Sequence, residues 1–116
     1  MRSRDFIGQS VCVQVDRPLG SFHPSHGFRC PLNYGYLPGV PAPDGEEMDA
    51  YILGVKRPLL EFQGTCIAVI HRLDDEDDKL VVVPHGQDLS DQEIRRLTEF
   101  QEQYFQSVIW RLVETG

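Results

Sequence analysis

The sequence is short of the features that assign a chain quickly. No apolar run approaches the length of a membrane span. The N-terminal "MRSRDFIGQSVCV" has no long apolar core, so a secretory signal is not expected and a cytoplasmic setting is. Cysteine is scarce: Cys12, Cys30 and Cys66 are odd in number and contain no Cys-x-x-Cys pair. That argues against a disulfide framework and leaves reduced, buried thiols as the simplest expectation. Basic charge is also in deficit. Eleven Lys and Arg stand against eighteen Asp and Glu, a net charge of −7. A nucleic-acid groove needs clustered cations to meet the phosphates, and none is visible. Small anionic ligands are not excluded, because a divalent cation can bridge acids to phosphates. Internal repeats and low-complexity segments are absent.

What is present fits one soluble domain. The chain has 116 residues, 41% of them hydrophobic and 25% charged, enough for one core without staples. "SVCVQVD" alternates, with Val11, Val13 and Val15 on one side, and predicts a half-buried strand. Residues 17–45 are dense in Pro and Gly and predict a long irregular segment. Its aromatic residues argue against disorder, so a functional loop is expected. Three short strands follow: "DAYILGV" over 49–55, "TCIAVIH" over 65–71 and "KLVVVP" over 79–84. The last two flank "RLDDEDD" as a hairpin, and "LEFQG" at 60–64 reads as a turn. "LSDQEIRRLTEFQEQYF" predicts a helix opened by a Ser90/Glu93 capping box. Ile94, Leu97, Phe100, Tyr104 and Val108 lay an apolar stripe along it. "VIWRLV" at 108–113 either continues that helix or forms a closing strand; its β-branched and aromatic content favours the strand. The sum is a small barrel with a helix against it.

The chemistry sits in two acidic groups. "APDGEEMDAYILG" places Asp44, Glu46, Glu47 and Asp49 at the start of a strand. Asp74, Asp75, Glu76, Asp77 and Asp78 fill the hairpin, and Lys79 closes it. If strand 49–55 lies near 65–71 or 79–84, the two groups converge at one end of the barrel. Like charges held there raise one another's pKa values. A Mg²⁺ ion, bound by a few carboxylates and phosphate oxygens, would remove that cost. Taken alone, "DDEDD" is what a solvated turn looks like, and "DGEEMD" suits an Asp-Gly turn. "DGEEMD" does not match an EF-hand loop.

These residues resemble a known family. "CPLNYGYLPGVPAPDGEEMDAYIL" and "GTCIAVIHRLDDEDDKLVVVP" are similar to two successive segments of the soluble family I inorganic pyrophosphatases. "VQVDR" resembles the family's Val-Asp-Arg, and "EFQEQYF" resembles its helix with an aromatic and a lysine. The resemblance runs in order from residue 13 to 105. It implies an α+β, mainly β fold: a small OB-like five-stranded barrel with one C-terminal helix packed on it. It implies Mg²⁺-dependent hydrolysis of pyrophosphate to two phosphates.

By resemblance, Asp44, Asp49, Asp77 and either Asp74 or Asp75 hold metal. Glu46 helps to deprotonate the attacking water, and Lys79, Arg17, Tyr34 and Tyr104 serve phosphate, with Tyr34 and Lys79 also catalytic. Paired metals bridged by carboxylates both activate the water and neutralise the leaving oxygen.

Departures accompany the match. The family's preceding Lys-Tyr-Glu strand has no counterpart in these residues, so the resemblance implies a short, N-terminally truncated variant. Phe105 stands where the helix lysine is usual. "LGSFHPSHGF" is inserted and brings His23 and His26. Glu46 is one methylene longer than the usual Asp; a misplacement of about 1 Å can cost roughly a hundredfold in rate.

Other residues have plainer readings. His23, His26 and Cys30 number one fewer than the four ligands of a structural zinc site, so an ordinary loop role is expected. Trp110 suits the core or an interface. His71 and His85 flank the hairpin and suit structural roles. Tyr34 and Tyr36 can also pack the loop on the barrel. A metal- or phosphate-binding module without turnover is the rival function. An oligonucleotide-binding barrel is a third, disfavoured by the acidic charge. Open strand edges predict at least a dimer.

Overall fold

Val11, Val13 and Val15 alternate with exposed residues along β1 (Ser10–Arg17), as their spacing predicts. In the computed structural model, which describes residues 2–23, 27–42, 45–74 and 77–112, five more strands follow. They are β2 (Asn33–Pro41), β3 (Glu47–Ile52), β4 (Glu61–Arg72), β5 (Asp78–Val83) and β6 (Ser107–Trp110), with one helix, α1 (Asp91–Glu102), between β5 and β6. The strand order is β1-β2-β3-β5-β4-β6, and a further β1–β4 pairing closes the first five into a barrel. β6 adds to β4 as an outer strand, so "VIWRLV" begins as a strand rather than more helix.

Two apolar layers follow from period-two alternation. Inside the barrel, Val11, Val13 and Val15 meet Leu37, Met48, Ile52, Val69, Leu80 and Val82. On the outer face, Tyr51, Ile70, Val81 and Val83 meet Ile94 of α1, with Leu97 and Phe100 at its margin. β5 is therefore buried along its whole length. A strand covered on both faces reads as a continuous apolar run, and "LVVV" is one.

Four sequence expectations need correction. First, the Pro/Gly-rich segment contains β2. Gly35 permits it: a Cβ there would sit 2.0 Å from the Gln14 carbonyl oxygen, so only glycine lets β2 approach β1. Second, "LEFQG" is strand, not turn, because β4 begins at Glu61. Gly64 is again a close approach, with its would-be Cβ 2.4 Å from the Val83 carbonyl oxygen. Third, α1 stops at Glu102, so Tyr104 and Val108 lie beyond it. Its start is as expected: the Ser90 hydroxyl accepts from the Glu93 amide at 3.2 Å, and the Glu93 carboxylate accepts from the Ser90 amide at 3.4 Å. Fourth, Cys30 and Cys66 are buried free thiols but Cys12 is exposed on β1. No described helix is long and apolar enough to cross a membrane.

Candidate functional site

Strand register assembles the site. β1 sets Arg17 opposite Tyr34 of β2. β2 sets Tyr34 opposite Tyr51, and Tyr36 opposite Asp49, both of β3. The parallel β3–β5 pairing then puts Asp49 beside Lys79. Asp49 and Lys79 share the face of Tyr51 and Val81, which α1 covers. The site thus lies on the outer face of the barrel by the end of α1, not in the barrel mouth.

Lys79 is the hub. Its buried ammonium donates to the Tyr34 hydroxyl at 2.9 Å and to Asp49 Oδ2 at 2.6 Å, and it reaches Asp77 Oδ2 at 2.8 Å. Burial alone would lower its pKa. Tyr34 and Asp49, with the hydrogen bonds to Asp49 and Asp77, outweigh burial and hold it above the usual lysine range. Burial pushes the Tyr34 phenol up to about 12, against the pull of Lys79, so it stays neutral at ordinary pH. The Arg17 guanidinium lies 5.1 Å from the Tyr34 ring centroid. Arg17 Nη1 is also 3.3 Å from His23 Nε2, and His23 stacks on Phe28 with centroids 5.0 Å apart.

Beneath this hub lies a second ionic group that the sequence reading missed. Arg72, last residue of β4, donates twice to Glu102 of α1, at 3.0 and 2.7 Å. Its Nη1 is 3.5 Å from Asp77 Oδ2, and its guanidinium carbon is 3.6 Å from the Phe105 ring centroid. Tyr51 donates to Glu102 at 2.6 Å and accepts from Gln101 at 2.8 Å. Burial first, then Glu102, holds the Tyr51 phenol well above its ordinary pKa. One signal for Glu102 was available. Ile94, Thr98 and Glu102 fall at steps of four and are the buried residues of α1, so the acid sits on the buried stripe. Asn33 was also missed as an anchor: its Oδ1 accepts from Leu19 and Leu59 amides, and its Nδ2 donates to the Arg57 carbonyl.

A cleft of about 510 Å³ opens over these groups. Asp16, Arg17, Tyr34, Asp49, Arg72 and Lys79 line it, with Phe28, Phe100, Gln101, Tyr104 and Phe105. Of the expected site residues, Arg17, Tyr34, Asp49, Lys79 and Tyr104 reach the cleft, and Asp77 lies under Lys79. Glu46 is exposed before β3 and is not among the lining residues. Asp74 is exposed in the hairpin turn. Asp78 is buried away from the cleft, bonded to Ser3 and His71. Asp44, Asp75 and His26 lie outside the described residues. His85 Nδ1 meets the Thr65 hydroxyl at 2.7 Å, and His71 stacks on Trp110.

The two acidic groups do meet, at Asp49 and Asp77. The point where they meet holds a side-chain ammonium. Across the base of the hairpin, where the Arg72 amide donates to the Asp77 carbonyl, Asp77 faces a second cation. A divalent ion on this pair would have to displace Lys79 and then sit beside both side-chain cations. Among the described residues, no group of three or more His, Cys, Asp and Glu side chains is placed to hold a metal ion. The described donors therefore do not fit the metal that the resemblance implies.

Comparison with known proteins agrees with the geometry. The family profile described as inorganic pyrophosphatase matches residues 9–110. Among solved structures, an inorganic pyrophosphatase from Ehrlichia chaffeensis superposes with a TM-score of 0.67 at 17% identity, over 92% of this chain and 88% of that one. One from Thermus thermophilus gives 0.62 at 19% identity, over 88% and 82%. One from Helicobacter pylori gives 0.61 at 19%, over 90% and 79%. These likenesses establish the closed five-stranded barrel with its helix. No curated protein sequence matches.

Proposed function

Because the chain belongs to the inorganic pyrophosphatase family, a family of hydrolases, we propose that it binds and hydrolyses inorganic pyrophosphate in the Lys79 cleft. One observation carries the reading: Arg17 and Lys79 converge on Tyr34 at the cleft floor. Lys79 and Arg17 hold phosphate oxygens by charge-assisted bonds. The Tyr34 hydroxyl accepts from Lys79, and a phosphate oxygen competes with Asp49 for its proton. Tyr104, 67% exposed at the rim, closes over the bound anion. Asp49, which lines the cleft with Asp16, presents its carboxylate to an attacking water. That water adds to one phosphorus, the bridging P–O bond breaks, and two phosphates leave. Glu46 is given no step, since its side chain does not line the cleft. The resemblance implies magnesium, but the described donors do not fit one and no step passes through it. The proposal extends to a cytoplasmic setting and to an assembly of at least two copies, which light scattering tests.

One observation favours a second reading, a phosphate-binding module without turnover: Lys79 is fully engaged by Asp49, Asp77 and Tyr34. Phosphate release from pyrophosphate, in magnesium and in EDTA, beside calorimetric binding, separates the two. Release that is lost in Lys79→Met supports the hydrolase. Binding without release supports the module. Neither binding nor release overturns both.

A further inference from the structure

Pyrophosphate is all charge and has nothing to offer an aromatic ring. The cleft nonetheless sets Phe28, Phe100, Tyr104 and Phe105 around its two phosphate-facing cations, Arg17 and Lys79. A single exposed aromatic is ordinary; here the exposed Tyr104 and three half-buried rings share a cleft with three cations and two carboxylates, which makes a two-part surface. Its size agrees. About 510 Å³ falls within the roughly 300–1,000 Å³ of pockets that take small organic ligands. The rings are held in place from behind. Phe28 meets Phe100 edge to face at 5.9 Å, and Phe105 carries the Arg72 guanidinium on one face at 3.6 Å. Bare pyrophosphate bound at Lys79 would leave these rings wet, or dry against a polyanion that gains nothing from them.

We propose that the cleft takes a diphosphate bearing a planar aromatic group, of the nucleoside diphosphate class, with the phosphates on Arg17 and Lys79 and the ring stacked among the phenyl groups. The proposal rests on the reading of Arg17 and Lys79 as the phosphate site and adds the substituent. Stacking a base on aromatic side chains gives about tenfold or more in affinity, and it tolerates any base because every base has a π-face. Planarity separates this ligand from an aliphatic diphosphate, which would gain only from burial.

Calorimetry on the full chain tests this with pyrophosphate, adenosine diphosphate and geranyl diphosphate in one buffer. The expected result is adenosine diphosphate bound about tenfold or more tightly than pyrophosphate. Phe28→Leu should shrink that gap; Phe105→Leu is the second variant should the first fold poorly. Equal affinities for adenosine diphosphate and pyrophosphate would overturn the proposal while leaving the phosphate site intact. Geranyl diphosphate binding as tightly as adenosine diphosphate would overturn it too, by showing that apolar bulk suffices. If neither pyrophosphate nor adenosine diphosphate binds, the phosphate-site reading itself falls.

Discussion

Asp77 and Asp78 follow one another in the chain and end on opposite sides of β5. Asp77 meets Lys79 at 2.8 Å and Arg72 at 3.5 Å, beneath an open cleft. Asp78 is 3% exposed and meets the Ser3 hydroxyl at 2.5 Å and His71 Nδ1 at 2.6 Å. Behind it, His71 stacks on Trp110 with centroids 4.2 Å apart, and Arg4 lies 4.7 Å from the Trp110 centroid. One acid is matched by side chains that are always cationic; the other is sealed by a hydroxyl and an imidazole. A run of acids in sequence is therefore not a cluster in space. Strand alternation divides it, one carboxylate to the ligand side and the next to the scaffold.

The largest effect that tests this division is in the ionic group under the cleft. Arg72→Ala leaves Glu102 buried without its bidentate partner and should cost about 3–5 kcal/mol in urea unfolding. The double variant Arg72→Met with Glu102→Leu should recover most of that loss, because no charge is then stranded. If the single and double variants are equally unstable, the buried pair is not what fails.

The cleft and its reverse side should separate by ligand. Lys79→Met should weaken pyrophosphate binding by about tenfold to a hundredfold, since it removes a charge-assisted contact. Asp78→Asn should leave that affinity unchanged and instead cost about 1–3 kcal/mol of stability through its Ser3 and His71 bonds. Calorimetry and denaturation on the two variants check this. Equal losses of affinity would erase the distinction.

The last effect is confined to alkaline pH. Burial holds Tyr34 up at about 12 and Cys66 at about 11, from ordinary values of 10.0 and 9.0. Both keep their protons longer in the fold than in the unfolded chain. The stability this contributes is whole below pH 9 and is lost as pH rises towards 12. Tyr34→Phe should flatten the upper part of that fall, by about 2–3 kcal/mol between pH 10 and 12. An unchanged alkaline limb in the variant would mean that the Tyr34 phenol is not the group responsible.

What the sequence made legible was local. The valines of β1, the capping box at Ser90 and the β-branched run of β6 each state their structure within a few residues. β2 was hidden because Gly35, Pro38 and Gly39 look like loop chemistry; the need for glycine arises from Gln14, more than twenty positions away. The end of α1 was also misjudged, because Tyr104 continues the helical spacing although the chain has already turned. At the candidate site, Asp49, Asp77, Lys79, Tyr34 and Arg17 are expected by resemblance alone, and strand register explains why they meet. Arg72 and Glu102 were not found. They are thirty residues apart, and nothing in either local pattern says that a cation should face the acids. Their pairing is a property of the closed barrel with α1 laid across it.

Through that pairing and Lys79, side-chain cations occupy the point where the acids converge. Titrating Mn²⁺ into the full chain and following the free ion by electron paramagnetic resonance tests it directly. No saturable site that depends on Asp49 is expected in the wild-type chain at millimolar Mn²⁺, and one is expected to appear in Lys79→Met. A saturable site in the wild-type chain that disappears in Asp49→Asn would contradict it.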